Sequence, residues 1–228
     1  MGTSSIDEGV PVSDDLRTVA TSNEDAFRCL LAIYARPGQI ISDVTYGRGR
    51  FWRLVDAGRY DTKRTDLKDG IDFRDLPYAD ASIDVLVLDP PYRYTPAKHV
   101  AHEESGNHGE VDAVYNLKGS APTSTKGVIK LYRDGMREAA RVLKEGGIAL
   151  VKCQDTIQDG KQWWVHVELM GVAEGLGFAC KDLMVVTPAT VIKTRWPMQR
   201  HLRKAHSYFL VLRNGGHFLC GIPKMCSR

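Results

Sequence analysis

The sequence lacks any apolar run approaching the roughly 20 residues that a membrane-spanning helix needs. Its first 15 residues are polar and acidic, without the apolar core of a signal peptide. The five cysteines are scattered, and no two of them form a Cys-x-x-Cys pair. These absences argue against a disulfide scaffold and against a membrane partner, so we expect free, buried thiols in a reduced, cytoplasmic protein.

Acidic residues are missing from the last part of the chain, with none between Leu183 and Arg228. The same stretch holds eight Lys or Arg, more than the net charge of +3, so the residues before it are net acidic. Segregation of charge on this scale suggests a polyanionic partner such as a nucleic acid. The best candidates for nucleic-acid contacts are Lys193, Arg195, Trp196, Arg200, Arg203 and Lys204.

Apolar periodicity from residue 22 onward predicts strands that alternate with helices. The predicted strands are 40–44, 63–65, 71–73, 83–88, 148–152, 183–187 and 207–212, and the predicted helices are 22–35, 51–57, 127–143 and 163–176. This alternation implies an α/β domain with a doubly wound, mainly parallel sheet over residues 22–213. Residues 1–21 are expected to be a disordered lead-in and residues 214–228 a C-terminal tail.

Two polar inserts interrupt the pattern, at residues 93–126 and 191–206. Loops of this length are uncommon in a compact domain unless they have a function. Both follow predicted strand ends, where ligands bind in open α/β sheets, so we expect them to carry target recognition. The first insert holds His99, His102 and His108, whose spacing does not predict a metal site.

A glycine-rich turn, Asp43 to Gly49, lies between the first predicted strand and the next helix. Glycines there let the backbone approach a ligand, and a helix N-terminus offers unpaired N–H groups. The third glycine of a dinucleotide fingerprint is missing, which argues against a nicotinamide dehydrogenase. Downstream, Asp66 can accept hydrogen bonds from ribose hydroxyls, and Asp72 with Phe73 suits an adenine amino group and ring.

The tetrad Asp89-Pro90-Pro91-Tyr92 directly follows the apolar run at 83–88. An acid and two prolines end a buried strand abruptly, at the sheet edge where ligands bind. The tetrad combines a carboxylate, a rigid corner with exposed carbonyls and an aromatic face. Such a set can hold a planar base that carries an exocyclic amine.

Together, the turn, the ordered acids and the tetrad resemble class I S-adenosylmethionine-dependent methyltransferases, and more narrowly the amino-methyltransferases of nucleic-acid bases. The resemblance implies a seven-stranded Rossmann-like sheet with S-adenosyl-L-methionine as cofactor. The cofactor-binding residues that it implies are Asp43, Thr45, Tyr46, Gly47, Gly49, Asp66, Asp72, Phe73 and Asp89. The catalytic residues that it implies are Asp89, Pro90, Pro91 and Tyr92. The turn departs from the family at Val44, Thr45, Tyr46 and Arg48.

The chemistry needs no metal and no covalent nucleophile. Asp89 and the Pro90 carbonyl would accept the two N–H groups of the amine and direct its lone pair toward the methyl group, while Tyr92 would stack on the base. By the pattern of the family that the chain resembles, an acid at the first position implies adenine N6, and DNA is the expected polymer. The alternatives are an RNA base methyltransferase acting on adenine N6 or guanine N2, and a catalytically silent cofactor-binding subunit. The sequence leaves a monomer and a homodimer both open.

Overall fold

The computed structural model describes residues 16–92, 122–187, 198 and 200–215. Its strands are β1 (Val19–Ala20), β2 (Ile40–Asp43), β3 (Asp61–Arg64), β4 (Ile83–Leu88), β5 (Leu143–Cys153), β6 (Thr156–Gln158), β7 (Lys161–Trp163), β8 (Phe178–Val186) and β9 (Ser207–Asn214). Its helices are α1 (Asn23–Tyr34), α2 (Thr125–Val142) and α3 (Val165–Gly175), with short 3₁₀ helices at Arg50–Leu54, Ala57–Arg59 and Leu67–Asp69. Most of the first predicted insert and half of the second lie outside the described residues, including Lys193, Arg195 and Trp196.

Seven of these strands form one sheet in the order β1-β8-β9-β5-β4-β2-β3. The strands β3, β2, β4 and β5 are parallel neighbours, and β1 is parallel to β8. Only β9 is inserted antiparallel, between β5 and β8. The predicted single α/β domain with a seven-stranded, mainly parallel sheet is therefore confirmed.

The membership of the sheet differs from the prediction by two strands. The strand predicted at residues 71–73 is absent, because Asp72 accepts a hydrogen bond from the Arg74 backbone N–H (2.9 Å) and its carbonyl accepts one from Asp75 (2.9 Å). An aspartate that bonds to its own following backbone favours a turn over a strand. At one edge of the sheet, Val19 and Ala20 of the expected lead-in pair with β8. This strand is too short for periodicity to reveal.

The helix predicted at 22–35 is confirmed as α1. Its N-cap is Ser22, whose Oγ accepts the backbone N–H of Asp25 at 3.1 Å. The acids in its first turn favour the positive end of the helix dipole, and its buried face packs on the sheet through Phe27 and Leu30. The helices predicted at 127–143 and 163–176 are likewise confirmed, as α2 and α3.

The helix predicted at 51–57 is wrong in kind, since this segment forms only a 3₁₀ helix, Arg50–Leu54. Gly49 before it is left-handed, and Val55 after it is extended. Trp52 turns inward, and its indole donates to a carboxylate on β2. This bond holds Trp52 against the sheet and favours a tight 3₁₀ turn. A longer α-helix would move the indole away from the carboxylate.

The sheet carries a hydrophobic core on each face. One core lies under α1 and the 3₁₀ helix at Arg50–Leu54, and the other lies under α2 and α3. Because β2, β4 and β5 are parallel, their carboxyl ends meet at one edge of the sheet. In the described ranges no helix is long and apolar enough to cross a membrane.

A small hairpin, β6 with β7, follows β5 at this carboxyl edge and was not predicted. Its turn is Asp159-Gly160, and both residues have positive φ angles, 52° and 73°. Asp-Gly between short strands is a strong hairpin signal, so the sequence did contain the information. The hairpin leads directly into α3.

Candidate active site

Three ionisable side chains stand in a row at the carboxyl edge of the sheet. Asp43 ends β2, while Asp89 and Lys152 lie at the ends of the neighbouring strands β4 and β5. The register places Val87 beside Asp43 and Leu88 beside Val151, so Asp89 and Lys152 follow on adjacent strands. The sequence predicted the two acids as site residues but did not predict Lys152, which lies on β5.

Asp43 is 2% exposed, and both of its oxygens accept hydrogen bonds within the protein. The donors are the indole N–H of Trp52 (2.8 Å) and the backbone N–H of Thr45 (3.2 Å). Burial raises the pKa of Asp43 to about 7, against the opposing effect of these two donors, and the nearby Asp89 and Asp66 raise it further. Asp43 thus fixes the start of the glycine turn and the position of Trp52.

The raised pKa of Asp43 makes stability depend on pH. Between pH 4 and 7, roughly, the folded chain holds a proton that the unfolded chain has released, so stability falls as pH rises through this window. We expect the free energy of unfolding of the wild type, relative to that of Asp43→Asn, to drop by a few kcal/mol from pH 4 to pH 8, roughly. Urea denaturation of both proteins across this range measures it, and parallel curves would contradict the assignment.

Two hydrogen bonds hold the glycine turn to its neighbours. The N–H of Gly47 donates to Asp66 Oδ2 (2.8 Å), and Thr45 Oγ1 accepts the backbone N–H of Asp89 (2.7 Å). Gly49 is left-handed, with φ +66°, and a Cβ there would lie 2.6 Å from Cζ of Tyr46. The turn therefore needs glycine at 49 and links the end of β3 to the end of β4.

Asp66 lies at the end of β3, as predicted, and its oxygens accept the backbone N–H groups of Gly47 and Lys68. Asp72 has both oxygens bonded by the Arg74 guanidinium, at 2.9 and 2.6 Å. Phe73 is only 1% exposed and packs where Gly135 of α2 leaves room for its ring. The structure thus brings Asp43, Asp66 and Asp89 to the turn but places the Phe73 ring in the core.

Residues Asp89 to Tyr92 form a corner at the end of β4, and Asp89 is its first residue. Its Oδ1 is sealed from solvent and has no hydrogen-bond partner among the described residues. Burial raises the pKa of Asp89, and the positive charge of Lys152 opposes this rise. An unpaired carboxylate oxygen in such a place costs stability, and buried groups of this kind are typical of functional positions.

The two residues after Asp89 complete the corner. Pro90 is buried, and its carbonyl lies 3.4 Å from the Tyr132 hydroxyl, which has a shorter bond, 2.6 Å, to the carbonyl of Lys152. Since one hydroxyl donates one hydrogen, the shorter bond takes it, and the Pro90 carbonyl keeps its acceptor capacity. Tyr92 is partly buried, packed against the core of the α2 and α3 face.

Lys152 is the charged residue of this edge that sequence analysis missed. It is 2% exposed, and its Nζ lies 5.1 Å from the ring centroid of Tyr92 and 5.9 Å from that of Phe209. A buried ammonium is expensive without a negative partner, and Asp89 supplies one. The only signal in the sequence is a lysine that ends the otherwise apolar run from Ile148 to Val151.

A second polar group lies beyond β5. Asp155, 2% exposed, accepts the Nδ1 proton of His166 at 2.7 Å, and the His166 ring stacks on Tyr208 at 4.3 Å. Burial, with help from Asp155, raises the pKa of Tyr208 to about 12. Cys153 beside them is fully buried, as expected, and burial raises its pKa as well.

Of the predicted nucleic-acid contacts, Arg200, Arg203 and Lys204 lie in the described part. They immediately precede β9, whose first residues pair with the end of β5, so they lie at the same carboxyl edge. Within the described ranges, no three His, Cys, Asp or Glu side chains are grouped to hold a metal ion.

Comparison with solved structures identifies the fold as a methyltransferase fold. The 1,6-didemethyltoxoflavin-N1-methyltransferase of Burkholderia thailandensis, solved with its substrate and S-adenosylhomocysteine, superposes with a TM-score of 0.51 at 12% identity, over 86% of this chain and 80% of that one. TrmN from Thermus thermophilus gives a TM-score of 0.48 at 18% identity, over 84% of this chain and 48% of that one.

A sequence relative points in the same direction. The release factor glutamine methyltransferase of Streptomyces coelicolor is 31% identical over 112 residues, which cover 49% of this chain but 36% of that protein. The match thus spans about a third of the relative. No family model matches the chain.

Proposed function

We propose that this protein is an S-adenosyl-L-methionine-dependent methyltransferase that methylates the exocyclic amine of a nucleic-acid base, with adenine N6 of DNA as the target. The observation that carries the proposal is the corner at the end of β4. There a sealed, unpaired carboxylate oxygen of Asp89, the acceptor carbonyl of Pro90 and the ring of Tyr92 occur together.

The corner matches the chemistry of an exocyclic amine. Such an amine is a poor nucleophile because its lone pair is delocalised into the ring. Asp89 Oδ1 and the Pro90 carbonyl are two acceptors on consecutive residues, suited to the two N–H groups. Accepting both hydrogens localises the lone pair on nitrogen, and Asp89 is placed to take the proton that the amine loses as its bond to carbon forms.

The cofactor is S-adenosyl-L-methionine, which supplies an activated methyl group. The residues at the turn fit it: among the described residues beyond its chain neighbours, only the Thr45 carbonyl lies within 4 Å of a Cβ placed at Gly47, so the space there is open. Asp66 accepts a single backbone N–H on each oxygen, and since a carboxylate oxygen can accept two, it retains capacity for ribose hydroxyls. The Burkholderia enzyme of this fold, solved with S-adenosylhomocysteine, supports the assignment.

A second candidate is supported by the Streptomyces relative, whose name gives a glutamine side chain as its target. A glutamine amide resembles an exocyclic amine, because its NH₂ is planar and its lone pair is delocalised. The same two acceptors would suit it. The acid-free, basic C-terminal stretch favours nucleic acid instead, because a polyanion gains more from it than a protein side chain does.

The test is methyl transfer from radiolabelled cofactor to three substrates: DNA, RNA and a mixture of cytosolic proteins. We expect label in DNA, recovered as N6-methyladenine after digestion to nucleosides. Label in RNA alone would mean that RNA, and not DNA, is the substrate. Label in protein glutamine alone would favour the second candidate. Bound cofactor with no label in any substrate would identify a silent subunit.

A further inference from the structure

Trp164 is an aromatic side chain that the fold leaves at the surface. It is the N-cap residue of α3 and is 56% exposed, whereas its neighbour Trp163 is partly buried against the core. The Trp164 ring contacts that of His166, with centroids 6.3 Å apart, but more than half of the indole stays in water, which costs free energy. Its position suggests contact with something outside the chain.

The start of α3 is anchored to the proposed active site. Asp155, two residues beyond the end of β5, accepts the backbone N–H of His166 (3.3 Å) and the Nδ1 proton of its ring (2.7 Å). The strand β5 lies beside β4, whose end carries Asp89. Trp164 therefore stands at the same carboxyl edge as the corner that we propose holds the target base.

A cation accompanies this indole. Lys204 Nζ lies 5.6 Å from the centre of the Trp164 ring. Gln154, directly after β5, donates through Nε2 to the carbonyls of His206 (2.8 Å) and Lys204 (3.3 Å), which fixes the basic segment to this edge. Arg203, next to Lys204, is exposed.

An exposed aromatic face with a neighbouring cation is the combination that binds single-stranded nucleic acid, since every base has a face to stack and every nucleotide brings a phosphate. We propose that Trp164 and Lys204 form a subsite for a nucleotide that flanks the methylated base, with the indole stacking on the base and the ammonium contacting the adjacent phosphate. This inference rests on the proposed function, because it takes the corner at Asp89 as the site of the target base.

Substitution of Trp164 and substitution of Lys204 should weaken nucleic-acid binding in different ways. Fluorescence anisotropy of a labelled single-stranded DNA oligonucleotide, over a range of salt concentrations, distinguishes the two effects. Trp164→Ala should weaken binding about five- to hundredfold with an unchanged salt dependence, because stacking does not release counterions. Trp164→Phe should retain most of the affinity. Lys204→Gln should reduce the slope of log K against log salt by about 0.7, the value for one phosphate contact in a single strand.

The matched control is Arg137→Gln, which also removes one exposed charge but lies in the half of α2 that leads away from the carboxyl edge. It should change neither affinity nor slope. Thermal unfolding and cofactor binding of each variant verify that the fold is intact.

The inference would be overturned if Trp164→Ala bound the oligonucleotide as tightly as the wild type, even if methyl transfer to DNA were observed. It would also be overturned if Trp164→Ala lost methyl transfer to a protein substrate while its oligonucleotide binding was unchanged, since the surface would then contact protein. Conversely, loss of oligonucleotide binding in Trp164→Ala, in a protein that transfers no methyl group, would show that Trp164 binds a nucleotide but would contradict both the proposed function and the placement of that nucleotide beside a methylated base.

Discussion

Replacement of Asp89 by asparagine is expected to reduce methyl transfer by about 100- to 1000-fold or more and to leave cofactor binding nearly intact. The amide offers one acceptor and one donor in place of two acceptors, so its NH₂ group opposes the N–H of the target amine. It also cannot take up the proton that the amine releases. Single-turnover methyl transfer measures the first effect and calorimetric titration with the cofactor measures the second.

A loss of folding could mimic this result, because Asp89→Asn leaves the Lys152 ammonium buried without its carboxylate. Breaking one partner of a buried pair is strongly destabilising, whereas replacing both by uncharged groups often is not. The double variant Asp89→Asn with Lys152→Met is therefore the control: it should regain stability in urea and remain inactive. Retained transfer in Asp89→Asn, or a large loss of cofactor affinity, would contradict the role assigned to Asp89.

The main features of the fold could be predicted because each rests on a local pattern. The run from Ile83 to Leu88 is apolar, and it ends in an acid and two prolines that cannot continue a strand. The structure makes it an interior strand of the sheet, β4, with both faces buried. The glycine turn after β2 was predictable for the same reason, since Gly49 adopts a φ angle that favours glycine.

The features that could not be predicted depend on partners distant in the chain. Phe73 is in the core because Gly135, on a helix 62 residues later, leaves space for its ring. Lys152 becomes part of the corner only because β4 and β5 are neighbours in the sheet, and Trp164 meets Lys204 only because β9 pairs with the end of β5. Periodicity reports which face of an element is buried, but it does not report which elements lie side by side.

Lys152 gives the second prediction. Its charge lowers the pKa of Asp89 against the larger effect of burial, so the ammonium favours the ionised form of that carboxylate. With Lys152→Met, burial acts alone and the pKa of Asp89 rises. The carboxylate that accepts hydrogens from the amine is then protonated over more of the pH range.

We therefore expect Lys152→Met to lower kcat by about 100-fold near neutral pH. Activity should recover as the pH is raised, because the midpoint of the pH–rate profile moves upward. Lys152→Arg keeps the positive charge and should keep the midpoint near that of the wild type, even if the larger side chain lowers the plateau. The profile distinguishes an electrostatic role from a packing role, because lost packing lowers kcat equally at every pH. An unshifted midpoint in Lys152→Met would mean that the lysine supports the corner by filling space beside Tyr92 and Phe209, and that its charge does not tune Asp89.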